Sequence, residues 1–129
     1  MSKQGVAAWH SLAKARDTEA LSAMLSEDAV FHSPVVHAPQ KGKDITHKYL
    51  SAAFVVLFND SFEYVREIVG DRDAMLEFSV ELDGIQVNGV DIIQWNEQGQ
   101  IVDFKVMIRP LKAIDAVRNK MVEALQKLG

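Results

Sequence analysis

The segment GVDIIQWNEQGQIVDFKVMIRP, residues 89–110, decides how this chain folds. Asn96, Glu97, Gln98 and Gly99 form a turn cluster between two strand-length runs. After the turn, Val102, Phe104, Val106 and Ile108 alternate with Asp103, Lys105, Met107 and Arg109, the period of a half-buried strand. Before it, residues 85–95 form a run in which Asp91 stands among Val90, Ile92 and Ile93. Pro110 can serve as the first residue of a closing helix, because its missing N–H has no helical partner there anyway.

Upstream, residues 74–82 set Leu76, Phe78, Val80 and Leu82 against Met75, Glu77, Ser79 and Glu81. Asp83-Gly84 is a hairpin signal joining that run to the next. Residues 62–69 read as another strand, ending at Gly70-Asp71-Arg72. Earlier still, the period changes to that of helices. Val6, Trp9, Leu12 and Ala13 share one face over residues 3–15. Asp17 or Thr18 can cap a short second helix whose Leu21, Met24 and Leu25 face inward. Residues 29–32 read as a short strand stopped at Ser33-Pro34, and residues 34–42 as a loop. A third helix spans about 43–58, with Ile45, Tyr49, Leu50, Ala53, Phe54, Leu57 and Phe58 on its apolar face. After Pro110, Leu111, Ile114, Val117, Met121, Leu125 and Leu128 repeat at helical spacing. Helices followed by a meander define an α+β domain, with helices on one sheet face and the other face solvated or paired with a second subunit.

A chain of 129 residues suits one domain, 1–129, and 48% apolar residues suffice for a core. The net charge of −4 speaks against a nucleic-acid partner and against an anionic membrane surface. Without cysteine there is no disulfide and no thiol nucleophile. The longest apolar run, 52–58, is too short to span a bilayer, and the polar start at Met1 shows no signal-peptide pattern, so a cytoplasmic protein is expected. The histidines show no metal-ligand spacing, so neither metal nor cofactor is expected. Gly84 to Gly89 has phosphate-loop spacing, but Val90 stands where the lysine belongs.

The order helix, helix, short strand, helix, four long strands resembles the nuclear-transport-factor-2-like superfamily. Supporting segments are SEDAVFHSPVV at 26–36, GKDI at 42–45 and the 89–110 hairpin. Within that superfamily the chain is most similar to the ketosteroid-isomerase-like and SnoaL-like (polyketide cyclase) branches. The resemblance spans essentially the whole chain. It implies a cone-shaped curved sheet, mixed or antiparallel, wrapped around helices: a cystatin-like α+β barrel. It also implies an interior pocket for a hydrophobic small molecule and a homodimer across the sheet.

By the same resemblance, Asp91 falls where ketosteroid isomerases place the oxyanion-hole carboxylic acid. Trp9 falls where they place a tyrosine donor, and Ser33 where they place the aspartate base. Burial in an apolar strand raises a carboxyl pKa and keeps it protonated, able to donate to a ligand carbonyl, as in those isomerases. A structural aspartate, bonded to backbone or paired with lysine, is the other reading. Trp9 can donate one N–H to a ligand or simply fill the core. His32, beside the lost base, is the natural replacement because histidine is the residue type suited to proton transfer near neutral pH, although alternation points it outward if Phe31 and Ser33 point inward. Phe31, Ser33, Phe54, Phe58, Phe78, Phe104, Val106 and Ile108 are the expected ligand lining; the same apolar residues also describe an ordinary core. His37 lies in the loop, where it could close over the pocket mouth; His10 and His47 are expected at the surface. Three functions stand at this point: an isomerase- or cyclase-type enzyme acting next to a carbonyl through Asp91, a non-catalytic ligand-binding protein, and a dimeric interaction module.

Overall fold

The computed structural model describes residues 2–128; Met1 and Gly129, the ends of the expected 1–129 domain, lie outside the described residues. The chain runs through helices α1 (Ser2–Ala15) and α2 (Thr18–Met24), strands β1 (Leu25–His32) and β2 (Gln40–Lys41), and helix α3 (Lys43–Leu57). Strands β3 (Glu63–Val69), β4 (Asp73–Leu82), β5 (Ile85–Trp95) and β6 (Ile101–Arg109) follow, then helix α4 (Leu111–Lys127). The strands form one curved, unclosed sheet in the order β2-β1-β6-β5-β4-β3. It is α+β and mixed: β3 to β6 form the antiparallel meander, while β1 runs parallel to β6. Among the described residues no helix is long and apolar enough to cross a membrane.

Local chemistry accounts for the boundaries. The Asp17 side chain accepts from the Ala20 N–H at 3.0 Å and caps α2. Asp83 and Gly84 both take positive φ, 50° and 82°, which suits the two-residue turn to the twist of β4 and β5. Strand β2 falls inside the expected 34–42 loop; two residues of pairing with β1 leave too short a pattern to read. Pro110 caps α4 from outside, so the helix starts one residue later than expected. Its buried face is Ala113, Val117 and Ala124, while Leu111 and Leu128 are exposed. At the start of β6 a register shift between Gln94 and Trp95 puts Ile101, rather than the expected Val102, into the core.

The helices cover the inner sheet face, α3 on β1 and α4 on β5, β6 and α3. Every second residue of β4 and β5 is delivered to the core: Leu76, Phe78, Val80 and Leu82 from β4, and Val87, Gly89, Asp91, Ile93 and Trp95 from β5. Gly89 has a packing reason. A Cβ there would lie 2.4 Å from the Phe78 ring and 2.9 Å from the Met107 carbonyl oxygen.

Candidate functional site

Strand alternation sends Asp91 inward between Gly89 and Ile93, where it is 5% exposed. Among the described residues no other charged side chain is buried. Around it stand Trp9 from α1, Leu50 and Phe54 from α3, Phe78 from β4, and Phe104 and Val106 from β6. These side chains carry no charge and leave the carboxyl poorly hydrated. Burial therefore pushes the Asp91 carboxyl up to about 7, against the Tyr64 hydrogen bond that pulls it down.

Tyr64, on β3, was not foreseen. Its hydroxyl donates to Asp91 Oδ2 at 2.6 Å and accepts from Trp9 Nε1–H at 3.0 Å. Burial first, then the Asp91 charge, raises the phenol well above its ordinary range. Tyr64 pairs with Phe78 on β4, whose Leu76 pairs with Asp91 on β5, so the contact runs diagonally across one strand. A register shift follows at once between Tyr64 and Arg66. The available signal was the inward pair Phe62 and Tyr64 at the head of a strand otherwise exposed from Val65 onward.

The expected lining residues divide between two spaces. Phe54, Phe58, Phe78, Phe104 and Val106 surround a chamber of only about 20 Å³ at Asp91, room for one water. Phe31, Ser33, Val106 and Ile108 line a second, apolar cavity of about 120 Å³ beneath α4, closed on the helix side by Val117, Met121 and Leu125. Ala53, Leu57 and Val106 border both and form the partition. The cone is thus largely filled by its own side chains, in contrast to the hollow interior expected. Trp9 fills part of it, 1% exposed, its ring 5.7 Å from Phe54 and 5.0 Å from Phe104. Its one N–H is spent on Tyr64.

Two expected residues sit differently from their assigned parts. His32 points to the outer sheet face, where Nε2 meets Asp103 Oδ1 at 2.8 Å. Phe31 occupies the inward position, so alternation carries His32 away from Asp91. The Ser33 hydroxyl accepts from the Val35 and Val36 N–H groups at 3.0 and 3.3 Å, a turn contact at the cavity rim. Of the other histidines, His10 pairs with Glu67 beside Tyr64, His47 meets the Thr18 carbonyl at 2.8 Å, and His37 is exposed in the loop.

A curved α+β sheet with one carboxyl held in an apolar interior defines the class: a nuclear-transport-factor-2-like domain. Residues 6–104 match the sequence model of the SnoaL-like domain, and the chain belongs to that family. It is similar to a steroid delta-isomerase from Pseudomonas aeruginosa, at 33% identity over 98% of this chain and 93% of that one, with a TM-score of 0.92. It is also similar to a protein with a cystatin-like fold from Silicibacter pomeroyi DSS-3, at 30% identity over 92% and 83% of the chains, with a TM-score of 0.84. A third structure, the epoxide hydrolase/cyclase-like enzyme SalBIII, shares the fold at 18% identity over 84% and 90% of the chains, with a TM-score of 0.67. None of the curated protein sequences matches the chain.

Proposed function

We propose that the chain is an isomerase- or cyclase-type enzyme acting on a small apolar molecule next to a carbonyl, with neutral Asp91 as the hydrogen-bond donor to the carbonyl oxygen. The observation that carries this reading is Asp91, the one buried acid among the described residues, raised to about 7 and facing an apolar chamber. A protonated carboxyl in a dry site stabilises a developing enolate more than a ground-state ketone, which is what accelerates proton transfer at the neighbouring carbon. The likeness to a steroid delta-isomerase fits the same chemistry. The apolar cavity beneath α4 is the proposed approach. At about 120 Å³ it is near the size of apolar cavities that admit one small ring, and movement of Leu57 and Val106 would join it to the chamber. Ser33 supplies no base, so the α-proton passes to water or to a basic group on the substrate itself.

The test uses 3-cyclohexen-1-one, whose conversion to the conjugated enone is followed by ultraviolet absorbance, with a Δ5-3-keto steroid as the larger probe. Wild type should accelerate isomerisation of at least one, and Asp91→Ala should lower kcat/KM by roughly 10²–10³ with an unchanged circular dichroism spectrum. Equal rates for the two proteins would remove the catalytic reading. The turn contact of Ser33, which leaves the base position empty of a base, favours a second reading: a binding protein in which Asp91 only orients the ligand. Binding of these ketones without chemical change would support it.

The outer sheet face is proposed as the surface for a second copy. Ile68, Met75 and Met107 stand there 58%, 40% and 49% exposed, around Val90. A soluble, cytoplasmic setting, without cofactor, is part of the same proposal.

A further inference from the structure

The hydrogen bonds behind Asp91 have a fixed direction, and that direction has a chemical consequence. An indole N–H can only donate, so the Tyr64 oxygen must accept from Trp9. The single hydroxyl hydrogen of Tyr64 is then directed to Asp91 Oδ2, its one acceptor among the described residues. Oδ2 is therefore an acceptor. Were Asp91 to carry its proton on Oδ2, the Tyr64 hydrogen would be stranded in an apolar wall, which costs more than a typical hydrogen bond contributes. The acid proton is thus placed on Oδ1, which takes no other protein hydrogen bond among the described residues.

We propose that Tyr64 is a positioning residue which, locked by Trp9, forces the Asp91 proton onto Oδ1, so that the site selects ligands presenting an acceptor oxygen, a ketone or enolate, over those that lack one. This deepens the reading of Asp91 as donor and rests on it. Packing supports a rigid assembly. Trp9 is wedged between Phe54 and Phe104, and the Tyr64 ring meets Phe62 edge-on at 5.0 Å. The elements around Asp91 present Trp9 from α1, Leu50 and Phe54 from α3, Phe78 from β4 and Phe104 and Val106 from β6, none of them charged. Among the described residues Tyr64 is the one titratable group facing the carboxyl, and Glu67 and His10 pair behind it at the surface.

The experiment is a titration of the Asp91 carboxyl by 13C NMR in ligand-free protein labelled with carboxyl-13C aspartate. Wild type should titrate near 7. Tyr64→Phe should move the midpoint up by about one pH unit, because a hydrogen bond to the charged form is lost. Trp9→Phe should also move it up, by less, although Trp9 does not touch the carboxyl. An unmoved midpoint in both variants would overturn the relay. Should neither variant fold, 3-fluorotyrosine in place of both tyrosines sharpens the donor and should lower the midpoint; Tyr49, the other tyrosine, stacks on Phe31. No change there would equally overturn it. Cyclohexanone should bind wild type at least about tenfold tighter than methylenecyclohexane, which lacks the acceptor, and the preference should fade above the Asp91 midpoint. Equal binding of the two would overturn the selection of acceptors. The titration needs no turnover, so an inactive protein with the expected midpoints would sink the enzymatic reading and leave the relay standing.

Discussion

Two acid-containing pairs lie on opposite faces of the same sheet. Inside, Tyr64 donates to Asp91 at 2.6 Å; outside, His32 of β1 meets Asp103 of the adjacent β6 at 2.8 Å. Their contact distances are similar, and their surroundings are not. The outer side chains are 27% and 34% exposed, and water shares the work of solvating them. The inner carboxyl is walled by aromatic and aliphatic side chains and, among the described residues, has one hydrogen-bond donor. Environment rather than partner makes Asp91 the chemically unusual group.

The largest expected effect tests that contrast through stability. The folded carboxyl titrates near 7 against an ordinary 3.8, so between those values the folded state binds the proton more tightly than the unfolded chain. The stability this contributes is fully present below pH 3.8 and is lost as pH rises through 7. About three pH units at about 1.4 kcal/mol each amount to roughly 4 kcal/mol. Urea unfolding of wild type and Asp91→Asn from pH 4 to 8 should show this slope only in wild type. Parallel curves would mean the inner carboxyl is hydrated like the outer one.

A smaller effect separates neighbouring positions of β5. Gly89→Ala faces the core, and its Cβ would force the Phe78 ring and the Met107 backbone apart. Thermal melts should show a loss of about 1–3 kcal/mol. The smallest stability effect belongs to the outer face. Met107→Asp should change monomer stability by about 0.5 kcal/mol or less, since that residue is half exposed. Sedimentation should nevertheless show loss of self-association; an unaltered dimer would put the subunit contact elsewhere.

Period and turn chemistry made most of the secondary structure readable. The alternation from Leu76 to Leu82 holds, the Asp83-Gly84 hairpin forms, and the apolar face Val6, Trp9, Leu12 and Ala13 is buried. Asp91 was conspicuous as an acid inside an apolar strand. Tyr64 was not, because its partners lie 27 and 55 residues away and meet it only through strand pairing and the seating of α1. The filling of the cone was equally illegible: the same phenylalanines write a pocket lining or a packed core.

By itself, the sequence determined the α+β layout, the face that β4 offers the core, and the presence of an acid within the apolar run of β5. Tertiary structure alone decided that a tyrosine and a tryptophan would stand behind that acid, that His32 would meet Asp103 of the neighbouring strand, and how little space would be left beside the acid. Periodicity is local and survives in one dimension. Distances between strands, and the volume left among side chains, exist only once the sheet has curved around its helices.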